Sequence, residues 1–167
     1  MLATTRDAMY GWAAERLAVK QTEIGAEAFL YFFDHGYPAA DEGGYHAFHA
    51  SEIPFVFGTM NLTPPLWPAI PETQQEQRLS DAMLSYWASF VRDGVPRAVG
   101  EPDWPPYGEG RTYLAFEDRP HVRSEPPNRY ELHEAVICRR RAQGGVSWNW
   151  NVGVISPPLP PLAPVCR

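Results

Sequence analysis

Cysteine is scarce in this sequence, and long apolar runs are absent. The 167 residues include two cysteines, Cys138 and Cys166, which are too few and too far apart for a disulfide scaffold or for a zinc site built from paired short spacings. We predict that both are free thiols. No run reaches the roughly 18 apolar residues that a membrane span requires, and Arg6 and Asp7 precede any apolar run that could act as an export signal. The sequence therefore predicts no metal site and no membrane span, and the cytoplasm is the default location.

The charge is acidic and dispersed. The sequence has 20 acidic and 14 basic residues, which gives a formal net charge of -6. No basic stripe is present that could neutralise phosphates or hold an anionic membrane. The one dense basic cluster, residues 139–141, follows a helical pattern and suits cations at a helix C-terminus. Nucleic acid is therefore not expected as a partner.

Apolar periodicity in the first half of the chain predicts a helix and then a strand. Hydrophobic residues make up 44% of the sequence and aromatic residues 13%, enough to bury a core. Apolar residues three or four apart predict a helix over 5–19, and a short apolar run predicts a strand over 28–33, covered on both faces. A turn-rich connection follows over 34–44. Pro54 within the apolar stretch 52–58 favours a short helix or an irregular segment over a central strand.

The second half begins with a proline-rich stretch, 61–73, which we expect to be a rigid loop. Thereafter an apolar stripe at helical spacing predicts a helix that Gly94 and Pro96 end. A strand over 112–116 and a final helix over 128–143 complete the pattern. The stripe consists of Leu79, Met83, Tyr86, Trp87, Phe90 and Val91.

The order of elements predicts the closing part of an α/β sheet protein. Only two strands are evident, whereas a complete sheet has about five or six. We therefore predict the α/β class, with an incomplete sheet, flanking helices and further strands that lie elsewhere. Residues 1–143 form the folded segment in this interpretation, and the Pro-rich residues 144–167 form a poorly ordered tail.

Five histidines are candidates for chemistry, and their surroundings distinguish them. His121, in a predicted loop, and His133, in a polar helical stretch, are typical of structural or solvated residues. His35 ends the predicted strand, and His46 and His49 lie in the Gly-rich loop after it. Serine hydrolases with a nucleophile elbow place the triad in the chain order Ser, acid, His, which a histidine after a late strand would fit.

Residues 45–58, Tyr-His-Ala-Phe-His-Ala-Ser-Glu-Ile-Pro-Phe-Val-Phe-Gly, resemble the signature around the catalytic histidine of type-B carboxylesterases, such as bacterial para-nitrobenzyl esterase-like proteins. The resemblance runs from about residue 7 to 141 and implies that residues 1–143 are the C-terminal portion of an α/β-hydrolase fold. Three further segments agree in the same order: an apolar run closing in Phe-Asp-His, a Tyr-Trp helix with a Gly-x-Pro stop, and a Trp-Pro-x-Tyr turn before a strand, at 28–35, 86–96 and 104–116.

The resemblance implies roles for four residues of the signature. His49 would be the catalytic histidine of a serine esterase, with no cofactor and no metal, acting on a small carboxylic ester. Glu52 would anchor the histidine loop, or would be a simple surface or capping glutamate. Phe48 and His46 would line a pocket, although an aromatic residue here could equally pack in the core.

A nucleophile elbow, Gly-x-Ser-x-Gly, is missing. The nearest string, Gly-Val-Ser-Trp-Asn at 145–149, lacks the final glycine and follows the histidine. The serine, the triad acid and the oxyanion hole would therefore come from an N-terminal esterase segment. We expect the chain to be inactive alone, with an apolar face that this segment would cover, formed by Met9, Trp12, Phe29, Phe32, Phe55 and Trp87.

Two other functions are compatible with the sequence. A non-catalytic binding module could retain the hydrolase surface, with the Pro-rich stretch 157–161 docked in an aromatic groove of a partner. A stand-alone enzyme using His49 with Asp34 or Asp41 would need a nucleophile, for which no residue has support. A soluble monomer that unfolds cooperatively would favour the binding module over the fragment.

Overall fold

The structure of the protein, a computed structural model, describes residues 7–108, 110–124 and 130–142. The chain divides into two compact units, residues 15–126 and residues 1–14 with 127–167. The predicted tail, 144–167, and the serine-containing string 145–149 lie outside the described residues. The predictions made for them are therefore not tested.

A three-stranded sheet is the centre of the larger unit. Its strands are β1 (Tyr31–Phe33), β2 (Thr112–Phe116) and β3 (Pro120–Ser124), in the order β1-β2-β3. β1 and β2 are parallel, with Tyr31 opposite Leu114, and β2 and β3 are antiparallel. Parallel strands joined by a long crossover connection are typical of an α/β fold.

The structure differs from the strand predictions in two respects. β1 covers only the last three residues of the predicted range 28–33, and it is not covered on both faces, because Tyr31 is 36% exposed. β3 was not predicted, and His121 lies in this strand rather than in a loop. The reason is that β3 begins with a proline, has no alternation of apolar residues, and is exposed at its end, as edge strands often are.

Four helices belong wholly or partly to the larger unit. The first was predicted over 5–19, but it consists of a π-helical turn, Asp7–Gly11, followed by an α-helix that ends at Glu23. A short helix with Pro54 in its first turn confirms one of the two alternatives for 52–58. A second helix, Pro38–Glu42, lies where the sequence predicted only a turn-rich connection. It was missed because a five-residue helix that starts with a proline leaves little periodicity in the sequence. The helices are α1 (Trp12–Glu23), α2 (Pro38–Glu42), α3 (Ile53–Val56) and α4 (Gln74–Asp93), and a short 3-10 turn spans Met60–Leu62.

α4 is the long helix predicted from the apolar stripe, and both of its ends have a clear cause. Thr73 caps the first turn, since its side-chain oxygen accepts the backbone N–H of Glu76. Gly94 ends the helix with a φ of 75°, a conformation in which a Cβ is unfavourable. Stripe residues Leu79, Met83 and Tyr86 are buried. The sequence pattern therefore predicted the position of α4 and the first part of its buried face, whereas the stripe residues Phe90 and Val91 near its end are exposed.

The core lies between α4 and one face of the sheet. Phe55 is fully buried in it, so the prediction that this residue belongs to an exposed apolar face was wrong. Phe29 and Trp87 are half-buried and pack against the core, while Met9 has no described side chain. Aromatic rings meet mainly edge to face, which favours well-ordered packing. The core comprises Tyr37, Ala40, Phe55, Leu79, Ala82, Met83, Tyr86, Trp104, Leu114 and Phe116.

The smaller unit is described through the first helical turns and the last helix, α5 (Tyr130–Ala142). The indole N–H of Trp12 donates to a carboxylate oxygen of Glu134 at 3.2 Å, and Tyr130 is buried. α5 confirms the predicted final helix and contains His133, as expected. Cys138 is disulfide-bonded, so the prediction of a free thiol there was wrong. A spacing argument excludes multi-cysteine scaffolds but does not exclude a single disulfide.

Candidate active site

Residues 45–52, the histidine loop, follow α2 and lead into α3. The backbone N–H of Ser51 donates to the carbonyl of Phe48 at 3.0 Å, which closes a four-residue turn. The Ser51 hydroxyl also accepts the N–H of Phe48 at 3.1 Å, and Ser51 is fully buried. Two hydrogen bonds between the same pair of residues therefore fix the ends of the turn.

His49 occupies the second position of this turn and is exposed. The third position, Ala50, has a φ of 71°, a left-handed conformation that costs a residue with a Cβ roughly 1–2 kcal/mol. Such strain persists where the surrounding structure fixes the backbone, and it is concentrated at functional sites. The turn thus presents His49 outward from a buried support.

Phe48 packs against the proline-rich loop. Its ring lies 4.9 Å from the ring of Trp67 and 5.9 Å from that of Tyr45. The Trp67 indole N–H donates to the Tyr37 hydroxyl at 3.0 Å, and this hydroxyl donates to the Pro68 carbonyl at 3.2 Å. These contacts connect the histidine loop to the buried Tyr37. The pocket-lining role of Phe48 stays a prediction.

His46 lies between two carboxylates. Its Nδ1 is 2.7 Å from an Asp41 oxygen, and its Nε2 is 3.6 Å from an Asp34 oxygen. Gly36 permits this approach, since a Cβ at that position would lie 2.2 Å from Nδ1 of His46. Asp34 and Asp41, the acids considered for a stand-alone enzyme with His49, therefore face His46. Like that of Phe48, the pocket-lining role of His46 stays a prediction.

Glu52 is half-buried at the start of α3 and makes no side-chain capping hydrogen bond. Burial raises the pKa of Tyr31, and the negative charge of Glu52 raises it further. The Glu52 carboxylate therefore acts electrostatically on β1. The lack of a capping hydrogen bond argues against a capping role, and the anchoring role remains a prediction.

Sequence reasoning missed a buried pair beside the loop. Nε2 of His35, which follows β1, is 2.6 Å from a carboxylate oxygen of Glu76, and the two side chains are 0% and 5% exposed. Thr73 and Glu76 have the spacing of a capping box, which would direct the Glu76 carboxylate to its own helix end. In the structure that carboxylate binds His35 instead. The signal that was available was the position of His35 at the end of a strand.

A cleft of about 480 Å³ lies at the start of α4, and His49 is not among the residues that line it. Its walls come from the residues between α3 and α4 and from the first turn of α4, and they do not include Phe48 or His46. Among residues 7–108, 110–124 and 130–142, none of the helices combines the length and the apolar composition of a membrane span. The lining residues are Gly58, Met60, Asn61, Ile70, Pro71, Glu72, Thr73, Gln74 and Gln77.

The sequence and the fold resemble those of known esterases. A sequence model of the Carboxylesterase family matches residues 1–132. The medium-chain fatty acyl-CoA hydrolase precursor of Anas platyrhynchos is 31% identical over 121 residues, which is 70% of this chain and 20% of that protein. The chain thus spans about a fifth of the length of this relative.

Solved structures agree with this match. The carboxylesterase EST55 of Geobacillus stearothermophilus aligns with a TM-score of 0.57 and 28% identity, over 71% of this chain and 24% of that one. PNB esterase aligns with a TM-score of 0.50 and 26% identity, over 65% of this chain and 21% of that one. The incomplete α/β sheet is therefore part of an α/β-hydrolase fold, as predicted. Because the family match covers most of its length, the chain belongs to the carboxylesterase family.

Proposed function

We propose that this chain supplies the general base, His49, of a serine carboxylesterase whose serine, acid and oxyanion hole come from an N-terminal esterase segment. The observation that carries this proposal is the exposed position of His49 on a turn closed by the buried Ser51, within a chain of the carboxylesterase family. The coverage of only 20% of a relative supports the need for further protein.

The chemistry requires one proton to move twice. An imidazole nitrogen of His49 accepts the serine hydroxyl proton while the serine oxygen forms a bond to the ester carbonyl carbon. As the tetrahedral intermediate collapses, the ester C–O bond breaks and the imidazolium gives its proton to the leaving alcohol. Water then hydrolyses the acyl-enzyme by the same route. A triad carboxylate from the other segment orients the imidazole.

The free edge of the described sheet is the proposed contact with that segment. Leu30 and Asp34 form backbone hydrogen bonds to β2, and since backbone groups alternate along a strand, those of Tyr31 and Phe33 point to the other edge. Tyr31 is also 36% exposed. A parallel strand of the N-terminal segment would pair with these two residues and cover the exposed ring.

Within this arrangement Glu52 anchors the histidine loop. Its half-buried position at the start of α3, directly after the histidine turn, supports this role. Phe48 and His46 flank His49 in sequence, and we propose that they line the ester pocket. The packing of Phe48 on Trp67 leaves its ring half-buried, with a surface that a substrate could contact.

Hydrolysis of p-nitrophenyl acetate tests the proposal. The purified chain alone should show no turnover above that of buffer. Co-expression with the N-terminal segment of the Geobacillus carboxylesterase, or a graft of residues 45–58 into that intact enzyme, should give turnover. His49→Gln should then lower kcat by about 100-fold or more, because general base catalysis contributes that much.

His121→Gln is the matched control, since His121 lies in the edge strand β3, and it should leave turnover unchanged. Turnover by the chain alone that disappears in His49→Gln would contradict the proposal, because it would place a nucleophile in this chain. Turnover of the graft that His49→Gln does not affect would show that His49 is not the base.

A further inference from the structure

We propose that His35 and Glu76 are a positioning pair for the histidine loop: their buried contact sets the orientation of α3, and α3 sets the orientation of the turn that carries His49. The functional meaning of this inference rests on the proposed role of His49. The contact itself can be tested without any assay of hydrolysis.

The pair joins two elements that are distant in sequence. His35 follows β1, Glu76 lies in the first turn of α4, and their side-chain atoms are 2.6 Å apart in a buried site. A carboxylate can only accept hydrogen bonds, so a proton on Nε2 of His35 donates to it. Charge-assisted hydrogen bonds of this kind are short and directional. The ring of His35 is therefore held in one orientation.

Nδ1 of His35 has no hydrogen-bond partner among the described residues. The nearest charged group is Asp118, between β2 and β3, with an oxygen at 3.6 Å from Nδ1. Glu76 and Asp118 are the charged groups that face the ring. Buried polar atoms without a partner are rare and require an explanation. Here the explanation is that the bond to Glu76 determines the orientation of the His35 ring. In that orientation no described residue forms a hydrogen bond with Nδ1.

The oriented ring contacts α3. The His35 and Phe55 rings meet edge to face, with the centroids 5.4 Å apart. The backbone carbonyl of Phe55 also accepts a hydrogen bond at 2.9 Å from Ser80. Glu76 and Ser80 are four residues apart and so lie on the same face of α4. Through His35, this face of α4 holds the side chain of Phe55. Through Ser80, it holds the backbone of Phe55 directly.

α3 is in turn bonded to the histidine turn. The N–H of Ile53, the first residue of α3, donates to the carbonyl of Ala50 at 3.1 Å. Ala50 follows His49 directly and is the strained residue of the turn. A change in the tilt of α3 would therefore move the peptide group next to His49. The contacts from Glu76 to His49 form one continuous series through His35, Phe55 and Ala50.

Amide hydrogen exchange of the full 167-residue chain, read by NMR in His35→Gln and Glu76→Gln, tests the positioning role. We expect the amides of Ser51, Ile53 and Val56 to exchange about tenfold faster in His35→Gln, because local opening depends on local contacts. Leu114 in β2 should change by less than about twofold. Glu76→Gln retains an acceptor and should have an intermediate effect.

Two spectroscopic readouts separate positioning from general stabilisation. The downfield imidazole N–H signal of His35 should be present in the unchanged protein and absent from His35→Gln. The ring signals of His49 should shift in both variants. Glu72→Gln, a change of an exposed glutamate at the same end of α4, is the matched control and should alter neither the exchange nor the His49 signals.

The inference is overturned if exchange at the loop and at Leu114 increases equally, or if neither changes. If His35→Gln fails to fold, the exchange rates of Glu76→Gln alone decide whether the pair positions the loop. Glutamine preserves the shape of the glutamate side chain and can still accept the hydrogen bond from His35. These outcomes are independent of the hydrolysis assay. A failure of His49→Gln to affect turnover would remove the proposed function and leave the exchange result intact.

Discussion

Two regions of the molecule are stabilised in different ways. One is the scaffold, which consists of α4 and β2, and the other is the histidine loop, residues 45–52. The scaffold is regular: α4 is 20 residues long, capped at both ends, and packs Tyr86 and Met83 on the buried strand β2. The loop has non-glycine residues with positive φ at His46 and Ala50, and side-chain hydrogen bonds hold it. Burial of apolar surface thus fixes the scaffold, while a few specific polar contacts fix the loop.

The largest effect should come from the scaffold. Phe116→Ala removes a fully buried ring that contacts Tyr31, Tyr86, Trp87 and Trp104. We expect the free energy of unfolding to fall by about 3–5 kcal/mol, the usual cost of a cavity of this size. Urea denaturation followed by tryptophan fluorescence measures this change.

Phe116→Leu is the matched control, because it retains much of the apolar volume and should cost clearly less than Phe116→Ala. A loss that is equal in the two variants would indicate that packing at this position does not support the scaffold. The scaffold and the loop would then no longer differ in the way described above.

The sequence predicted the scaffold well because its physical causes are periodic. The apolar stripe and Gly94 gave the position and end of α4, and the run 112–116 gave β2 with the same bounds as the structure. β3 was missed because an edge strand with an exposed face needs no apolar alternation. The disulfide of Cys138 was missed because a sequence with two isolated cysteines carries no spacing pattern that reveals whether they pair.

A polar network beside the scaffold should have the next largest effect, and it should depend on pH. The Tyr107 hydroxyl donates to Glu15 at 2.8 Å and accepts from Arg111 at 3.1 Å. Burial raises the pKa of Tyr107 to about 12, the bond from Arg111 opposes this shift, and Glu15 adds to it. The native state therefore retains the Tyr107 proton at a pH where the unfolded chain has lost it.

The sign of the pH dependence follows from this difference. The contribution of Tyr107 to stability is complete below its ordinary pKa near 10 and is lost as the pH rises to about 12. Tyr107→Phe should cost about 1–3 kcal/mol at neutral pH, because the buried Glu15 loses a donor. It should also flatten the fall in stability between pH 10 and 12. Urea midpoints across this range measure both effects.

Tyr86→Phe is a useful comparison, because burial raises the pKa of Tyr86 as well, and its hydroxyl donates to the Pro102 carbonyl. Part of the fall in stability at alkaline pH should therefore remain in Tyr107→Phe. It should become smaller still in the variant that combines Tyr107→Phe with Tyr86→Phe. An unchanged slope in Tyr107→Phe would show that the network does not retain the proton.

The candidate site was less predictable than the scaffold. His49 was selected through its resemblance to a signature, since one exposed histidine has no periodicity of its own. The contact of His35 with Glu76 spans 41 positions, and the local capping pattern at Thr73 and Glu76 pointed to a different partner. Polar contacts between distant segments are set by the tertiary fold, so no local pattern reveals them.

The smallest effect should come from the strained turn of the histidine loop. Ala50→Gly removes the cost of a Cβ at a φ of 71°, which is about 1–2 kcal/mol. The glycine also adds a backbone entropy cost of about 0.5–1 kcal/mol. We therefore expect the free energy of unfolding to rise by roughly 0.5 kcal/mol. Ala47→Gly is the control, because Ala47 has no positive φ and the change should destabilise the protein. Paired urea denaturation curves measure both changes. If the two variants are equally destabilised, the φ of Ala50 stores no strain, and the loop is as relaxed as the scaffold.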